Sequence, residues 1–504
     1  MYLKKQFGIK SKVWQKPSAL ILLSALFLAG CGSSDDDGTG SLRFYNLSTN
    51  APAMYLTIDE DLDDEDDDAF ERTYTGIEFT ELSASTDLDT DNYFYEIAFQ
   101  DEDDTSRDDL EILLEGSIRI EEDSTQLFVL SSDIHSPELI IYNIPDIDDD
   151  EADDDSDDDL FNLRVLNMYT GDDVVSLYFS KDDETFNEAV LIGQYNYQEL
   201  SDNQKFDQED YIFYIVDNAS SEVVFQSDEI DFPYAAKYVV VIRDNTATGN
   251  SPYLLDLISS SSVTEYIDVH TESNIRAYNA IIAHDLIPDY QGNIAVNLES
   301  IDYSADTETI ALGEFSEVLV QENDDYSIDV TIPETGENLV TNHLLTLSEN
   351  SDKTVFFYLT ETDVDDDGDG DVDEDNDGEV DEVEVNINTL IVENKNEESI
   401  YSHQMTMVNL VDNDDFSNVV FYYVRSNELI DSTPYAQLVP YTEATDITLL
   451  NNTYTAFVVA DIDSSEVILH SFELVLNEES NAQFLILEAD ETTASGYRLT
   501  IEEQ

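Results

Sequence analysis

Four segments of this 504-residue chain open alike: LRFYNLS from Leu42, LRVLNMY from Leu163, IRAYNAI from Ile275 and MTMVNLV from Met405. Each carries an asparagine after an alternating stretch, at Asn46, Asn167, Asn279 and Asn409. A tyrosine leading a second alternating stretch follows 47, 44, 47 and 45 positions later, at Tyr93, Tyr211, Tyr326 and Tyr454. Spacing this regular reduces the chain to one supersecondary plan used four times. The copies also close alike, with an apolar strand, a polar loop and a last strand: LFVLSSDIHSPELIIYNI, YVVVIRDNTATGNSPYLLDLI, VFFYLTET…VEVNINTLIVEN and FLILEADETTASGYRLTIEE.

Short period-2 segments broken by Asp, Asn, Ser and Gly turns predict antiparallel sandwiches rather than a parallel sheet. A copy of about 105–125 residues with about seven strands fits an immunoglobulin-like plan. The expected fold is therefore all-β: four tandem immunoglobulin-like antiparallel β-sandwich modules after a signal segment. Their expected bounds are 41–145, 161–268, 272–396 and 400–504. Residues 146–160 are expected to form an acidic linker, because a block of like charges repels itself and stays extended. The other junctions are short, which predicts that modules two to four stack as a stiffer rod. The best helical candidate, 185–192, covers only about two turns. The four tyrosines are expected to bury their rings and bond nearby backbone through their hydroxyls. The four asparagines suit strand-end turns that bond their own backbone.

Residues 1–30 contain five lysines, no acid, and an apolar run at 19–29. That is the layout of a secretory signal, and the run is shorter than the roughly 20 residues a spanning helix needs. It ends Leu28-Ala29-Gly30-Cys31, and Cys31 is the only cysteine in the chain. This resembles a bacterial lipobox. The resemblance implies cleavage before Cys31, diacylation of its thiol and N-acylation, so that the chain meets the membrane through a lipid anchor. Gly32, where inner-membrane lipoproteins carry Asp, by the same resemblance favours the outer membrane, with a periplasmic or a surface-facing orientation left open. With Cys31 acylated no thiol remains for a disulfide, and the fold must be held by its cores or by metal. Residues 31–40 read as a flexible polar tether.

The chain carries 116 Asp+Glu against 19 Lys+Arg, a formal net charge of −97, and only 14 of the basic residues lie beyond residue 30. Nucleic-acid partners are excluded, since they require a basic footprint to displace counterions. With 41% hydrophobic and 11% aromatic residues the chain still has the material for packed cores.

The opening of the first copy, LRFYNLSTNAPAMYLTID, resembles a family of bacterial cell-envelope modules of unknown function. Ala51-Pro52 and Leu56-Thr57-Ile58-Asp59 lie where that pattern places them, while Asn50 replaces its usual acid. Gly193-Gln194-Tyr195 and Gly313-Glu314-Phe315 resemble its Gly-aromatic step, and the later copies lack the Ala-Pro step. The resemblance implies a sandwich on the cell envelope and supplies no catalytic residue.

The sharpest motif lies at 363–384. Asp363, Asp365, Asp367, Gly368 and Glu374 fit D-x-D-x-D-G-x₅-E, and Asp373, Asp375, Asp377, Gly378 and Glu384 fit it again ten positions on. Alternate carboxylates converge on a calcium ion when the glycine permits a sharp turn, and the late glutamate closes the shell. Asp369 and Glu379 complete the candidate metal-ligand set. The loops resemble EF-hand-like and aspartate-rich extracellular calcium repeats. They depart from a true EF-hand in having flanking strands, in Gly370, and in sharing Asp373 and Glu374 between frames. The equally acidic 146–159 and 59–68 lack glycine and read as solvated chain.

Catalytic signatures are missing. The six histidines (His135, His270, His284, His343, His403, His470) show no zinc spacing, and no G-x-S-x-G, P-loop or G-x-G-x-x-G occurs. The expectation is a non-catalytic, lipid-anchored envelope protein, a calcium-stabilised spacer or an adhesin-like binder of an envelope protein or polysaccharide. A solute- or polysaccharide-binding lipoprotein is the alternative, and a hydrolase is less favoured.

Overall fold

In the first copy of the repeat eight strands form two facing sheets: β1 (Thr39–Leu47), β2 (Met54–Asp59), β3 (Glu71–Ile77), β4 (Thr86–Asp89), β5 (Asn92–Gln100), β6 (Leu110–Arg119), β7 (Ser124–Ser131) and β8 (Glu138–Pro145). One sheet runs β4-β1-β7-β8 and the other β3-β2-β5-β6. All neighbours are antiparallel except β1 and β7, which pair in parallel with Arg43 opposite Leu127 and Asn46 opposite Leu130. The computed structural model describes residues 38–60, 70–100, 110–147, 160–171, 174–364, 383–395, 398–413, 415–490 and 492–504. Gly38–Gln504 forms one compact unit.

The same strand order recurs three more times. The counterparts of β1 are Leu160–Asn167, Ser273–Ala280 and Ser402–Asn409; those of β7 are Lys237–Asp244, Asp352–Asp363 and Gln483–Ala489. Those of β8 are Tyr253–Ile258, Val383–Glu393 and Tyr497–Glu503. The chain is thus almost entirely β, as four tandem immunoglobulin-like sandwiches, with eight principal strands in the first where about seven are the norm. Leu42 and Phe44 of β1 join Leu56, Ile58, Ile97 and Phe128 in the core of module one, and each other module has its own equivalent cluster. The segment 185–192 is not a two-turn helix. Phe186–Glu188 makes a single tight 3₁₀ turn, and Val190–Asn196 is a strand.

The repeated asparagines clamp the two sheets of each sandwich together, and all four are fully buried. The Oδ1 of each accepts the backbone N–H two residues on, at Ser48, Tyr169, Ile281 and Val411, over 3.1–3.2 Å. The Nδ2 donates across the sandwich to a carbonyl of the β3-type strand: Ile77 (3.1 Å), Tyr195 (3.0 Å), Ile310 (3.1 Å) and Val439 (3.3 Å). The tyrosines tie the sheets at another place. Tyr211, Tyr326 and Tyr454 donate their hydroxyls to the carbonyls of Asp207, Glu322 and Leu450, four residues earlier, at 2.9–3.0 Å.

The modules do not form a rod. The β1/β7 face of module one packs on that of module two, with Tyr45, Leu47, Leu127 and Val129 against Leu166, Val239, Val241 and Ile258. Modules three and four repeat this contact through Tyr278, Phe356 and Tyr358 against Val408, Phe484 and Ile486. Module two meets three where Asn350 Oδ1 accepts from Asn245 Nδ2 (3.1 Å) and Gly249 N (2.8 Å). Module four returns to module one, where Ile400 N donates to Asn50 O (3.1 Å) and Tyr401 packs 5.9 Å from Phe99. Each β1/β7 sheet is apolar on both faces, and pairing supplies its second cover; the contacts between modules two and three and between four and one join the pairs into a closed ring.

Candidate ion-binding hairpin and inter-module clefts

The aspartate-rich motif springs from the β7/β8-type hairpin of module three. Asp363 is the last residue of its strand and pairs with Val383, while Glu384 lies opposite Thr362. Both carboxylates are exposed, and the strand ladder brings the two ends of the motif side by side. Asp365, Asp367, Asp369, Asp373, Glu374, Asp375, Asp377 and Glu379 lie outside the described residues, as does Cys31. The stem touches its surroundings through Glu361, whose backbone N–H donates to Asp412 (3.3 Å) and whose carboxylate lies 3.4 Å from His284 Nε2.

A carboxylate cluster that sequence reading missed lies in module two. One oxygen from each of Asp182, Asp210 and Glu229 falls within 4.8 Å of the others. Among the described residues this is the one grouping of three or more His, Cys, Asp or Glu side chains with ligand-like spacing. Burial and neighbouring Asp231 push the Asp210 carboxyl above its ordinary value, and the Asp210 charge raises Glu229. No local pattern announced it, since the three positions are far apart in a chain with 116 acids.

The described histidines stay apart. His343 bonds Thr389, His403 bonds Asn451 (both 2.6 Å), and His135 lies between Asp133 and Glu478.

Polar groups instead converge at module faces. Between modules one and two, the fully buried Asp256 accepts from the Tyr45 hydroxyl and Arg243 Nε, each at 2.5 Å, and Arg243 also pairs with Glu265. Burial works against the Arg243 charge, but Asp256 holds its pKa above the ordinary value. The guanidinium also lies 5.6 Å from the Phe79 ring centroid, a cation–π contact.

Phe79 and Arg243 form part of a cleft of about 470 Å³ where modules one, two and three meet, with Glu265, Asp352, Glu393 and Lys395 on its other walls. Phe79 is its one aromatic residue, so it offers no stacking platform of several rings. A second cleft, of about 410 Å³, opens between modules one and two beside Arg43, Arg164 and Lys237.

No family model and no curated protein matches the chain. Among solved structures it is similar to the Bacillus anthracis TIE protein, at 9% identity and a TM-score of 0.15 over 91% of this chain and 75% of that one. The major pilin subunit BcpA of Bacillus cereus matches at 7% identity and 0.13, over 65% and 99%. The pilus adhesin SpaC of Lactobacillus rhamnosus matches at 8% identity and 0.16, over 87% and 56%. Scores this low say nothing about the role of this chain.

Proposed function

We propose that this protein is a non-catalytic, lipid-anchored component of the bacterial cell envelope whose four-module body binds an envelope protein or polysaccharide. The observation that carries the proposal is the position of the sole cysteine, Cys31, directly after the apolar run at 19–29. The ring supports a binding body over an extended spacer, since a spacer gains reach by joining modules end to end. The repeated Asn and Tyr side chains are engaged in holding sheets together and leave the clefts between modules as the places open to a partner. On this reading the motif at 363–384 binds calcium and stiffens the hairpin that carries it, with Kd on the order of 10⁻⁴–10⁻³ M, as is usual for extracellular modules.

Growth on an alkyne-tagged palmitate tests the anchor. The wild-type protein should take up label and fractionate with outer membranes, and Cys31→Ser should lose both properties. A wild-type chain that stays unlabelled and soluble refutes the lipoprotein reading. Adhesion of cells with and without the protein to isolated envelope polysaccharide tests the binding role, and equal adhesion counts against it.

A further inference from the structure

Modules one and two pair as modules three and four do, so the two interfaces can be superposed strand by strand. Arg43 of the first pair corresponds to Arg276 of the second, each three residues before its clamp asparagine. Both reach the backbone of the facing module: Arg43 donates to Ser259 O (2.5 Å) and Arg276 to Glu503 O (2.8 Å). Their surroundings differ. The guanidinium of Arg276 lies 4.4 Å from the Phe315 ring and 5.6 Å from Phe484, and Phe356 packs behind them. The matching positions in the first pair are Leu82, Val239 and Val129. Three rings are replaced by three small aliphatic side chains, and beside them lies the cleft of about 410 Å³ that Arg43 lines.

Charge is added where the rings are lost. Arg164 and Lys237 line the same cleft, and the register places Thr406 and Ala482 at their positions in the second pair. Three of the 14 basic residues beyond residue 30 thus meet at one opening in a chain of net charge −97. Arg43 is 8% exposed, and among the described residues no carboxylate forms an ion pair with it. Its Nε is buried without a hydrogen-bond partner, and burial lowers its pKa to about 10. Arg164 is held by the Ser201 carbonyl (2.9 Å), and among the described residues only Lys237 has an ion pair here, with half-exposed Asp146 (2.8 Å). A buried guanidinium without a counter-charge is costly, and an anion that entered would pair it. Leu127, Ile144, Val239 and Ile258 supply an apolar wall beside the cations.

We propose that this cleft binds a soluble organic carboxylate with an apolar body, its carboxylate held between Arg43 and Arg164. The site goes beyond the envelope role and depends on neither the anchor nor calcium. Naphthoate and its neutral amide, naphthamide, are the probes, and binding to the full-length chain in a neutral amphipol is followed by saturation-transfer NMR. The carboxylate should bind at least about tenfold more tightly than the amide, because charge-assisted bonds to the guanidinium are lost with the charge. Arg164→Gln should weaken naphthoate by a similar factor. Val239→Phe, which places a ring where Phe484 sits in the second pair, should abolish binding without removing a charge. Arg276→Gln should leave it unchanged. Thermal melts confirm that each variant is folded, and Lys237→Ser serves as the charge variant if Arg164→Gln is not. Equal binding of acid and amide, or full binding by Val239→Phe, overturns the proposal. Displacement of naphthoate by phosphatidylglycerol vesicles would assign the cations to a lipid surface and overturn it as well.

Discussion

The Tyr278 hydroxyl donates to Glu488 Oε2 at 2.7 Å across the face between modules three and four, repeating the bond from Tyr45 to Asp256 between modules one and two. The tyrosines occupy equivalent positions, but the charges behind them are exchanged. Arg243 lies on the β7-type strand and Asp256 on the β8-type strand of module two, whereas module four carries Glu488 on the first and Arg498 on the second. Either arrangement gives the buried tyrosine a carboxylate and the carboxylate an arginine. Burial raises Glu488, and Arg498 at 2.9 Å offsets part of that rise. Gly313 makes room for the guanidinium: at φ +77° it takes a left-handed conformation, and a Cβ there would fall 2.2 Å from Arg498 Nη2.

Tyr278→Phe removes one of three donors to buried Glu488 Oε2, which keeps Arg498 and Thr500. The expected cost is about 1.5–3 kcal/mol, that of one hydrogen bond to a charged group. It should appear in urea titration as an earlier transition of modules three and four, with the first pair unchanged. Tyr45→Phe should show the converse. A uniform shift of both pairs would mean that the faces are not separate units.

Asn279→Ala should be more damaging. Its side chain serves Ile281 N, the carbonyls of Gly292 and Ile310 and the Tyr290 hydroxyl, all at 3.1–3.2 Å. Orphaning several buried groups should cost upwards of about 2 kcal/mol. Hydrogen exchange should show the loss in both sheets of module three, because the asparagine joins them. Protection lost in only one sheet would contradict the clamp.

Asp210→Asn should stabilise module two at neutral pH. Burial and Asp231 raise the Asp210 carboxyl, so the native state holds its proton more tightly than the unfolded chain does. The stability from this group is therefore full below the ordinary carboxylate pKa and falls as pH rises through the raised value. Removing the charge removes that fall. Thermal melts should show a gain at pH 7 that disappears as pH drops below about 4, and a gain that persists in acid would point to packing instead.

Calcium at 363–384 should raise the thermal midpoint of the chain relative to EGTA, and magnesium should do so less. The double variant Asp363→Ala/Asp373→Ala should lose the calcium-specific part. Equal responses to both ions in both proteins would reduce the motif to charge screening.

The resemblances among the four copies located the clamp asparagines correctly, and three of the four tyrosines, Tyr211, Tyr326 and Tyr454, bond backbone within their own module as expected. The cross-sandwich reach of Asn46 to Ile77 was not legible, since the partner is a backbone carbonyl and leaves no mark on residue type. The pairing of the modules left a fainter mark. Residues 127–130, 239–242, 355–359 and 484–487 are unbroken apolar runs, the pattern of strands buried on both faces rather than one. That pattern states that a second cover exists without saying which module provides it.

The all-β class, the fourfold repeat and the alternation that builds each core are written in residue order, since strand patterning is local and has period 2. How the modules meet is settled by packing between residues far apart in the chain. Tyr45 and Asp256 are separated by 211 positions, and Tyr278 and Glu488 by 210. The apolar face of a strand is equally satisfied by any complementary face, so the choice rests on side-chain shape and buried charge. The same choice left Arg43 beside Val239 rather than a phenylalanine, and with it the cleft between the first two modules.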